Sequence, residues 1–182
     1  MKFTPLELPG VWLIEPLRHH DTRGYFCETF RLDEFTRATG ISALFVQENE
    51  SLSTRGVVRG LHYQAGDASQ AKLVRVSEGC IMDVAVDLRR DSPTFGRHIC
   101  VELSGDNGLQ LYIPRGFAHG FAVLSATARF QYKVDNYYCR EAERTISLFD
   151  PAVAIKWPLD RASMLLSDKD MAGASWADCE KF

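Results

Sequence analysis

Along most of its 182 residues, the chain alternates short runs of β-forming residues with clusters of turn-forming residues. The clearest turn clusters are Asp21 to Gly24, Ser104 to Gly108 and Pro114 to Gly116, rich in the residues that bound strands. No long helical pattern separates successive runs, so the sequence does not support a parallel sheet built from βαβ units. Closely spaced strands of this kind predict an antiparallel sandwich or barrel.

Ten runs are predicted as strands and one segment as a helix. The helix covers Leu32–Thr39, with Leu32 and Phe35 on one face and Gly40 as its stop. The last 30 residues are expected to be irregular or weakly helical. The predicted strands are Val11–Glu15, Tyr25–Phe30, Phe45–Ser51, Val57–Gln64, Ala71–Ser77, Cys80–Leu88, His98–Leu103, Leu109–Ile113, Phe121–Leu124 and Arg129–Tyr138.

Length and composition predict one globular domain over residues 1–182. The net charge of −3 offers no general attraction for nucleic acid or an anionic membrane, so neither is an expected partner. No apolar run approaches the roughly 18 residues of a membrane span. Pro5, Glu7 and Pro9 stand where a signal peptide needs an apolar segment. The five scattered cysteines contain no CxxC pair, which fits a reducing cytoplasm.

Three predicted strands place a titratable residue on the same face as apolar residues, because side chains two apart share a face of a strand. These residues are Lys72, the pair Tyr132 and Tyr138, and also His119, provided that the strand at Phe121 begins as early as Phe117. Any one of them has an ordinary explanation as a residue at the end of a sheet. Together they indicate a binding or catalytic pocket at the mouth of a barrel.

The segment Val57 to Gln64 places Arg59 and His62 near a strand end. Histidine titrates near neutral pH, so it can accept or release a proton. A metal site of the His-x-His kind is disfavoured because Gln64 stands where the second histidine would be. The glycine-rich phosphate loops and the GxSxG elbow are also absent from the sequence. The residues of this segment therefore disfavour a metal centre, and the sequence lacks the usual nucleotide-loop and hydrolase motifs.

Nine segments between residues 6 and 170 carry a family resemblance through their order and spacing. They are residues 21–28, 45–49, 59–64, 72–76, 83–96, 112–121, 132–133, 150–151 and 155–158. Together they resemble the dTDP-4-dehydrorhamnose 3,5-epimerase family of nucleotide-sugar biosynthesis. The resemblance implies an all-β, cupin-like antiparallel double-stranded β-helix, a jelly-roll barrel with a few short helices. It also implies a homodimer without cofactors that inverts C3 and C5 of dTDP-4-keto-6-deoxy-D-glucose to give dTDP-4-keto-L-rhamnose.

The resemblance also assigns roles to individual residues. His62 corresponds to the base, Asp170 to the carboxylate that orients it, and Tyr132 to the acid on the opposite face of the sugar. Lys72 is the candidate for stabilising an enolate oxygen. Among the binding positions, Arg23 and Arg59 would grip the diphosphate region and Tyr138 would stack on the thymine. The matched substrate-binding residues are Arg23, Glu28, Gln47, Glu48, Asn49, Arg59, Lys72, His119, Tyr138, Glu143 and Lys169.

Three other functions stay open at this point. A single-centre 3- or 5-epimerase of a secondary-metabolite sugar pathway shares the fold and most motifs. A metal-dependent cupin oxygenase or isomerase would contain a bound metal. A non-catalytic sugar-nucleotide binding module is disfavoured because His62, Lys72 and Tyr132 are all present.

Overall fold

The computed structural model describes all residues from Met1 to Phe182 and consists mainly of strands. The two α-helices are α1 (Leu32–Thr39) and the single turn α2 (Asp168–Met171), and 3₁₀ turns lie at Gly66–Ala68, Arg140–Ala142 and Arg161–Ser163. The strands are β1 (Lys2–Pro5), β2 (Trp12–Glu15), β3 (Arg18–Asp21), β4 (Gly24–Cys27), β5 (Gln47–Thr54), β6 (Val58–Gln64), β7 (Lys72–Glu78), β8 (Cys80–Asp87), β9 (His98–Ser104), β10 (Gln110–Ile113), β11 (Phe117–Val123), β12 (Thr127–Val134) and β13 (Glu143–Thr145).

The strands form two large antiparallel sheets and one separate hairpin. The first sheet has the order β1-β2-β10-β7-β12-β5 and the second β13-β6-β11-β8-β9, while β3 pairs only with β4. The largest cluster of buried residues contains Val74 and Phe130 from the first sheet and Ala85 and Phe121 from the second, so the sheets pack face to face. This architecture confirms the predicted cupin-like double-stranded β-helix.

The predicted helix is confirmed with the same bounds, and each predicted strand overlaps an observed one. Two predicted bounds are wrong in ways that affect the pocket. The strand expected to begin at Phe121 begins at Phe117, which puts His119 inside β11. The strand expected to reach Tyr138 ends at Val134. Just beyond this end, the Asp135 carboxylate accepts hydrogen bonds from the Ala71 N–H and the Arg115 side chain.

The C-terminal segment is largely irregular, as predicted, but it is closely packed against the second sheet. Val153 and Cys179 are buried in the core cluster of that sheet. The Tyr63 hydroxyl of β6 donates a hydrogen bond to the Glu180 carbonyl at 2.6 Å. This packing places α2 beside β6. No helix in the structure combines the length and apolarity needed to cross a membrane.

Two glycines allow β6 and β11 to approach closely. Gly60 has a φ of +131°, and a Cβ at this position would lie 2.6 Å from the Gly120 Cα. The register shifts between His119 and Phe121, as in a β-bulge, which re-aims side chains. As a result, His62 and His119 lie directly opposite each other on adjacent strands.

Candidate active site

A cavity of about 300 Å³ opens between the two sheets. Both sheets, the loop after β12 and α2 contribute to its walls, which are mostly polar. Its lining residues are Asn49, Glu50, Ser51, Arg59, His62, Tyr63, Gln64, Gln70, Lys72, His119, Gly120, Phe121, Phe130, Tyr132, Tyr138, Glu143 and Lys169. Strand parity thus correctly indicated a pocket that contains Lys72 and Tyr132, and also His119, because β11 begins at Phe117.

The C-terminal helix α2 places the buried carboxylate of Asp170 beside His62. Asp170 Oδ1 lies 2.8 Å from His62 Nε2, at an angle outside that of a well-formed hydrogen bond. The same oxygen accepts the Gly60 N–H, and Oδ2 accepts the Ser167 hydroxyl at 2.5 Å. Burial acts to raise the pKa of Asp170, but its contacts with His62, Ser167 and Gly60 outweigh burial and hold that pKa well below its usual value. Asp170 is therefore an ionised partner for His62.

Ser167 was not predicted as a site residue, although it stands three residues before Asp170. It caps α2 reciprocally with Asp170, a capping box at the first turn. Such a cap both starts the helix and fixes the Asp170 carboxylate toward His62. The available sequence signal was the serine three residues before the carboxylate.

The Ser167→Ala variant is expected to lose about 1 kcal/mol of unfolding free energy, the usual cost of removing a cap. It is also expected to lose turnover severalfold, since Asp170 Oδ2 keeps only a longer contact to the Ser167 N–H. Urea unfolding and kcat measure the two effects. Ser163→Ala, which removes an exposed hydroxyl bonded to the Asp160 carbonyl, is the matched control. Unchanged turnover in Ser167→Ala would contradict the positioning role.

Lys72 and Tyr132 belong to the first sheet and line the same cavity as His62, and the Lys72 ammonium donates to the His62 carbonyl at 3.5 Å. Burial lowers the pKa of Lys72 to about 8, an effect that Asp83 and Glu143 oppose and Lys169 reinforces. Burial and the Glu143 carboxylate raise the pKa of Tyr132, with Arg59 acting in the opposite direction. Tyr132 therefore stays a proton donor at neutral pH.

His119 has a carboxylate partner of its own. Its Nε2 lies 2.8 Å from Asp83 Oδ2, and its ring stacks on Phe130 at 5.7 Å. Burial lowers the pKa of His119, although Asp83 acts to raise it. Asp83 was not predicted as a site residue. The available signal was an acidic residue in the middle of the apolar run Ile81 to Val86.

Tyr138 reaches the cavity from a loop rather than from a strand. Its N–H donates to Gln47 Oε1, and Gln47 Nε2 donates to Asn49 Oδ1 at 2.9 Å. The Tyr138 hydroxyl donates to Glu143, which also pairs with Lys169. The exposed Tyr138 ring is therefore anchored at the rim, with Gln47 acting as a support behind it.

Two other predicted binding residues lie on β5 and β6. Arg59 lines the cavity and donates to Ser53 Oγ at 3.1 and 3.2 Å. Glu48 lies outside the cavity, in an ion pair with Lys133 at 2.7 Å. Its side chain points away from that of Asn49, because adjacent residues alternate across a strand. The structure therefore places Arg59, but not Glu48, at the pocket.

The structure does not bring Arg23 and Glu28 to the cavity of their own chain. Arg23 sits in the β3–β4 hairpin, where its guanidinium pairs with Asp21 at 2.5 Å and is 88% exposed. Glu28 is exposed just beyond the same hairpin. Their assignment as binding residues stays a prediction.

A cupin-like barrel with a histidine–carboxylate pair on one wall and a tyrosine and a lysine on the other has the groups needed for acid–base chemistry on two faces of a bound molecule. The family model described as dTDP-4-dehydrorhamnose 3,5-epimerase matches residues 5–178. A protein of that name from Pseudomonas aeruginosa is 50% identical over 182 residues, which cover 100% of this chain and 99% of the relative. The chain belongs to the dTDP-4-dehydrorhamnose 3,5-epimerase family of isomerases.

Solved structures agree with this assignment. A dTDP-6-deoxy-D-glucose-3,5-epimerase from Legionella pneumophila, in complex with dTDP-4-keto-L-rhamnose, has a TM-score of 0.94 and 45% identity, covering 98% of this chain and 94% of that chain. A 4-keto-6-deoxy sugar epimerase from the novobiocin gene cluster of Streptomyces spheroides has a TM-score of 0.92 and 36% identity, covering 97% and 88%. The fold is thus shared by epimerases of more than one pathway.

Proposed function

We propose that this chain inverts C3 and C5 of dTDP-4-keto-6-deoxy-D-glucose to give dTDP-4-keto-L-rhamnose for dTDP-L-rhamnose biosynthesis in the cytoplasm. The observation that carries the proposal is the placement of His62 and Tyr132 on opposite sheets of one cavity. Inversion at carbon needs a base on one face and an acid on the other, and this placement supplies both. The Legionella relative described with dTDP-4-keto-L-rhamnose supports the substrate.

The reaction uses the acidity of C–H bonds beside the ketone. His62 takes the proton, and the electron pair of the broken C–H bond moves through the carbonyl carbon onto the ketone oxygen. The Lys72 ammonium stabilises the resulting enolate. Tyr132 then donates a proton to the same carbon from the opposite face, and the carbonyl re-forms. Once His62 has released its proton to solvent and Tyr132 has regained one from solvent, the same steps at the second carbon complete the double inversion.

The Asp170 carboxylate supports this proton transfer. The ionised Asp170 carboxylate, 2.8 Å from His62 Nε2, stabilises the positive charge that the imidazole gains as it accepts the proton. Ion pairs at this distance are stronger in a partly dehydrated cavity than in water. Asp170 therefore orients the base and lowers the cost of its protonation.

Activity is expected to fall as the pH rises through about 8, because Lys72, with a pKa of about 8, then loses its proton and its charge. Tyr132 does not account for this limb, since its pKa is raised rather than lowered. The measurement is kcat/KM from about pH 7 to about pH 9.5. Lys72→Arg keeps its charge over that range and should lack the alkaline limb. An unchanged limb in Lys72→Arg would contradict this assignment.

We also propose a homodimer. The β3–β4 hairpin exposes Tyr25 and Phe26, the latter 71% accessible, beside Arg23 and Glu28. A second copy would cover these apolar rings and is the simplest source of Arg23 and Glu28 for a cavity that lacks them. Light scattering is expected to give about twice the chain mass of 20.5 kDa. A mass of one chain would contradict the dimer.

The direct test of the activity is identification of the product. The protein is incubated with dTDP-4-keto-6-deoxy-D-glucose together with a reductase specific for dTDP-4-keto-L-rhamnose. We expect continuous oxidation of the reductase's nicotinamide cofactor, because the product is removed as it forms. Without the epimerase, or with Tyr132→Phe in its place, the oxidation should stop or slow greatly. No oxidation with the intact protein would reject the double epimerisation.

A single-centre epimerase is the second candidate, favoured by the TM-score of 0.89, at 35% identity, to an enzyme from Streptomyces bikiniensis described as a 3'-monoepimerase. It would exchange hydrogen at one carbon only and would not supply the reductase. The same assay therefore separates the two activities.

A further inference from the structure

Asp83 is a buried carboxylate in a row of core residues. It lies on β8 between Ile81 and Ala85, both fully buried in the core between the two sheets, and it is itself 0% exposed. One carboxylate oxygen contacts His119 Nε2. The other, Oδ1, has no hydrogen-bond partner in the protein.

Stability does not explain this residue. A buried carboxylate with an unpaired oxygen is destabilising, and an apolar side chain at such a position is often neutral or stabilising by comparison. On the same strand, Asp87 is equally buried but fully partnered by Arg89, Ser92 and Thr94. The two carboxylates differ in what they contact, since only Asp83 bonds to a residue of the cavity wall.

The contact with Asp83 determines what His119 can offer to a ligand. An ionised carboxylate only accepts hydrogen bonds, so the proton of the imidazole must lie on Nε2. The other nitrogen, Nδ1, makes no hydrogen bond within the protein, and His119 lines the cavity. Burial and the nearby Lys72 and His62 lower the pKa of His119, which favours the neutral ring. Neutral His119 therefore carries a free lone pair on Nδ1.

We propose that Asp83 is a positioning residue that fixes the Nε2–H tautomer of His119, so that Nδ1 accepts a hydrogen bond from a hydroxyl of the bound keto-sugar. A ketone oxygen cannot fill this role because it is itself only an acceptor. The proposal rests on the proposed function for the identity of the sugar. In this arrangement two polar groups of the sugar contact different side chains. A hydroxyl of the sugar binds to His119, and the ketone oxygen binds to Lys72.

This division orients the sugar in the cavity. The hydroxyl and the ketone are adjacent groups on the sugar ring. A contact of one with His119 and of the other with Lys72 fixes the orientation of the ring in the cavity. The Phe130 ring stacks on the His119 imidazole, with the ring centroids 5.7 Å apart. Asp83 thus influences which carbons face His62 and Tyr132 without touching the substrate.

Asp83→Val removes the acceptor and fits a β-strand between apolar neighbours. We expect its melting temperature to equal or exceed that of the unmodified protein, while kcat/KM falls roughly tenfold or more because the hydrogen-bond match is lost. Asp83→Asn can still offer an oxygen to Nε2–H and should recover part of the loss. Asp87→Asn is the matched control: it should lower the melting temperature and leave kcat/KM within about twofold.

The tautomer is measured on the free protein by ¹⁵N NMR of the histidine rings, with His119→Gln used to assign the signals. We expect protonated Nε2 and unprotonated Nδ1 for His119 in the unmodified protein, and a mixture of tautomers in Asp83→Val. A doubly protonated ring or an Nδ1–H tautomer in the unmodified protein would overturn the proposal. So would an Asp83→Val protein with full kcat/KM. Failure of the proposed function is distinguishable, because it would appear as absent turnover in the unmodified protein with the tautomer unaffected.

Discussion

The His62→Ala variant is expected to lose hydrogen exchange at both C3 and C5 of the sugar. His62 is the group paired with the buried Asp170 carboxylate, and it faces Tyr132 across the cavity. Removal of a general base commonly costs about 10²- to 10⁴-fold in rate, and both inversions depend on the same base. We therefore expect a loss of about 10³-fold or more in each exchange rate.

The measurement is deuterium incorporation into each carbon, followed by NMR, for His62→Ala and the unmodified protein. His98→Ala, on the outer strand β9, is the matched control and should exchange normally. Binding of dTDP should persist in His62→Ala, since the rim residues Tyr138 and Arg59 remain. A variant that still exchanges one carbon at the full rate would show that a second base serves that centre.

The Tyr132→Phe variant is expected to separate exchange from inversion. The hydroxyl that returns a proton to the opposite face is lost, whereas His62 and Asp170 remain in place. Product formation should fall about 10²-fold or more, while exchange through His62 alone continues at a reduced rate. The phenylalanine keeps the packing against Phe130, whose ring centroid lies 5.5 Å away, so the fold is preserved.

Product formation and deuterium exchange are measured on the same samples, because their ratio is the informative quantity. Tyr137→Phe is the control, since Tyr137 is 67% exposed and does not line the cavity. Equal losses of exchange and product in Tyr132→Phe would contradict an acid on the face opposite His62.

The strand alternation of polar and apolar residues was sufficient to predict much of the cavity. Lys72, His119 and Tyr132 were expected on apolar faces, and all three line the space between the sheets. The alternation of side chains along a strand is informative here because a shift of one residue in strand pairing would move the buried side chains to the solvent face of the sheet. It failed for Tyr138 because the strand ends at Val134, and the contacts of Asp135 just beyond that end involve Ala71 and Arg115, which are distant in sequence.

Other features depend on tertiary contacts that no local pattern contains. The strands β1, β3 and β13 are short, with few buried residues, so they carry little hydrophobic signal. The contact between Asp170 and His62 joins residues that are 108 positions apart (170 − 62) in the sequence, and it was expected only from the family resemblance. Asp83 was visible as an acidic residue in an apolar run, but its partner His119 is on the neighbouring strand β11.

The central claim is that one cavity moves protons at two carbons of a 4-keto sugar. The most direct measurement is NMR of the protein with dTDP-4-keto-6-deoxy-D-glucose in deuterated water, with each carbon followed separately. We predict deuterium at both C3 and C5, at rates that fall together in His62→Ala. Deuterium at only one carbon, or at neither, would contradict the double epimerisation.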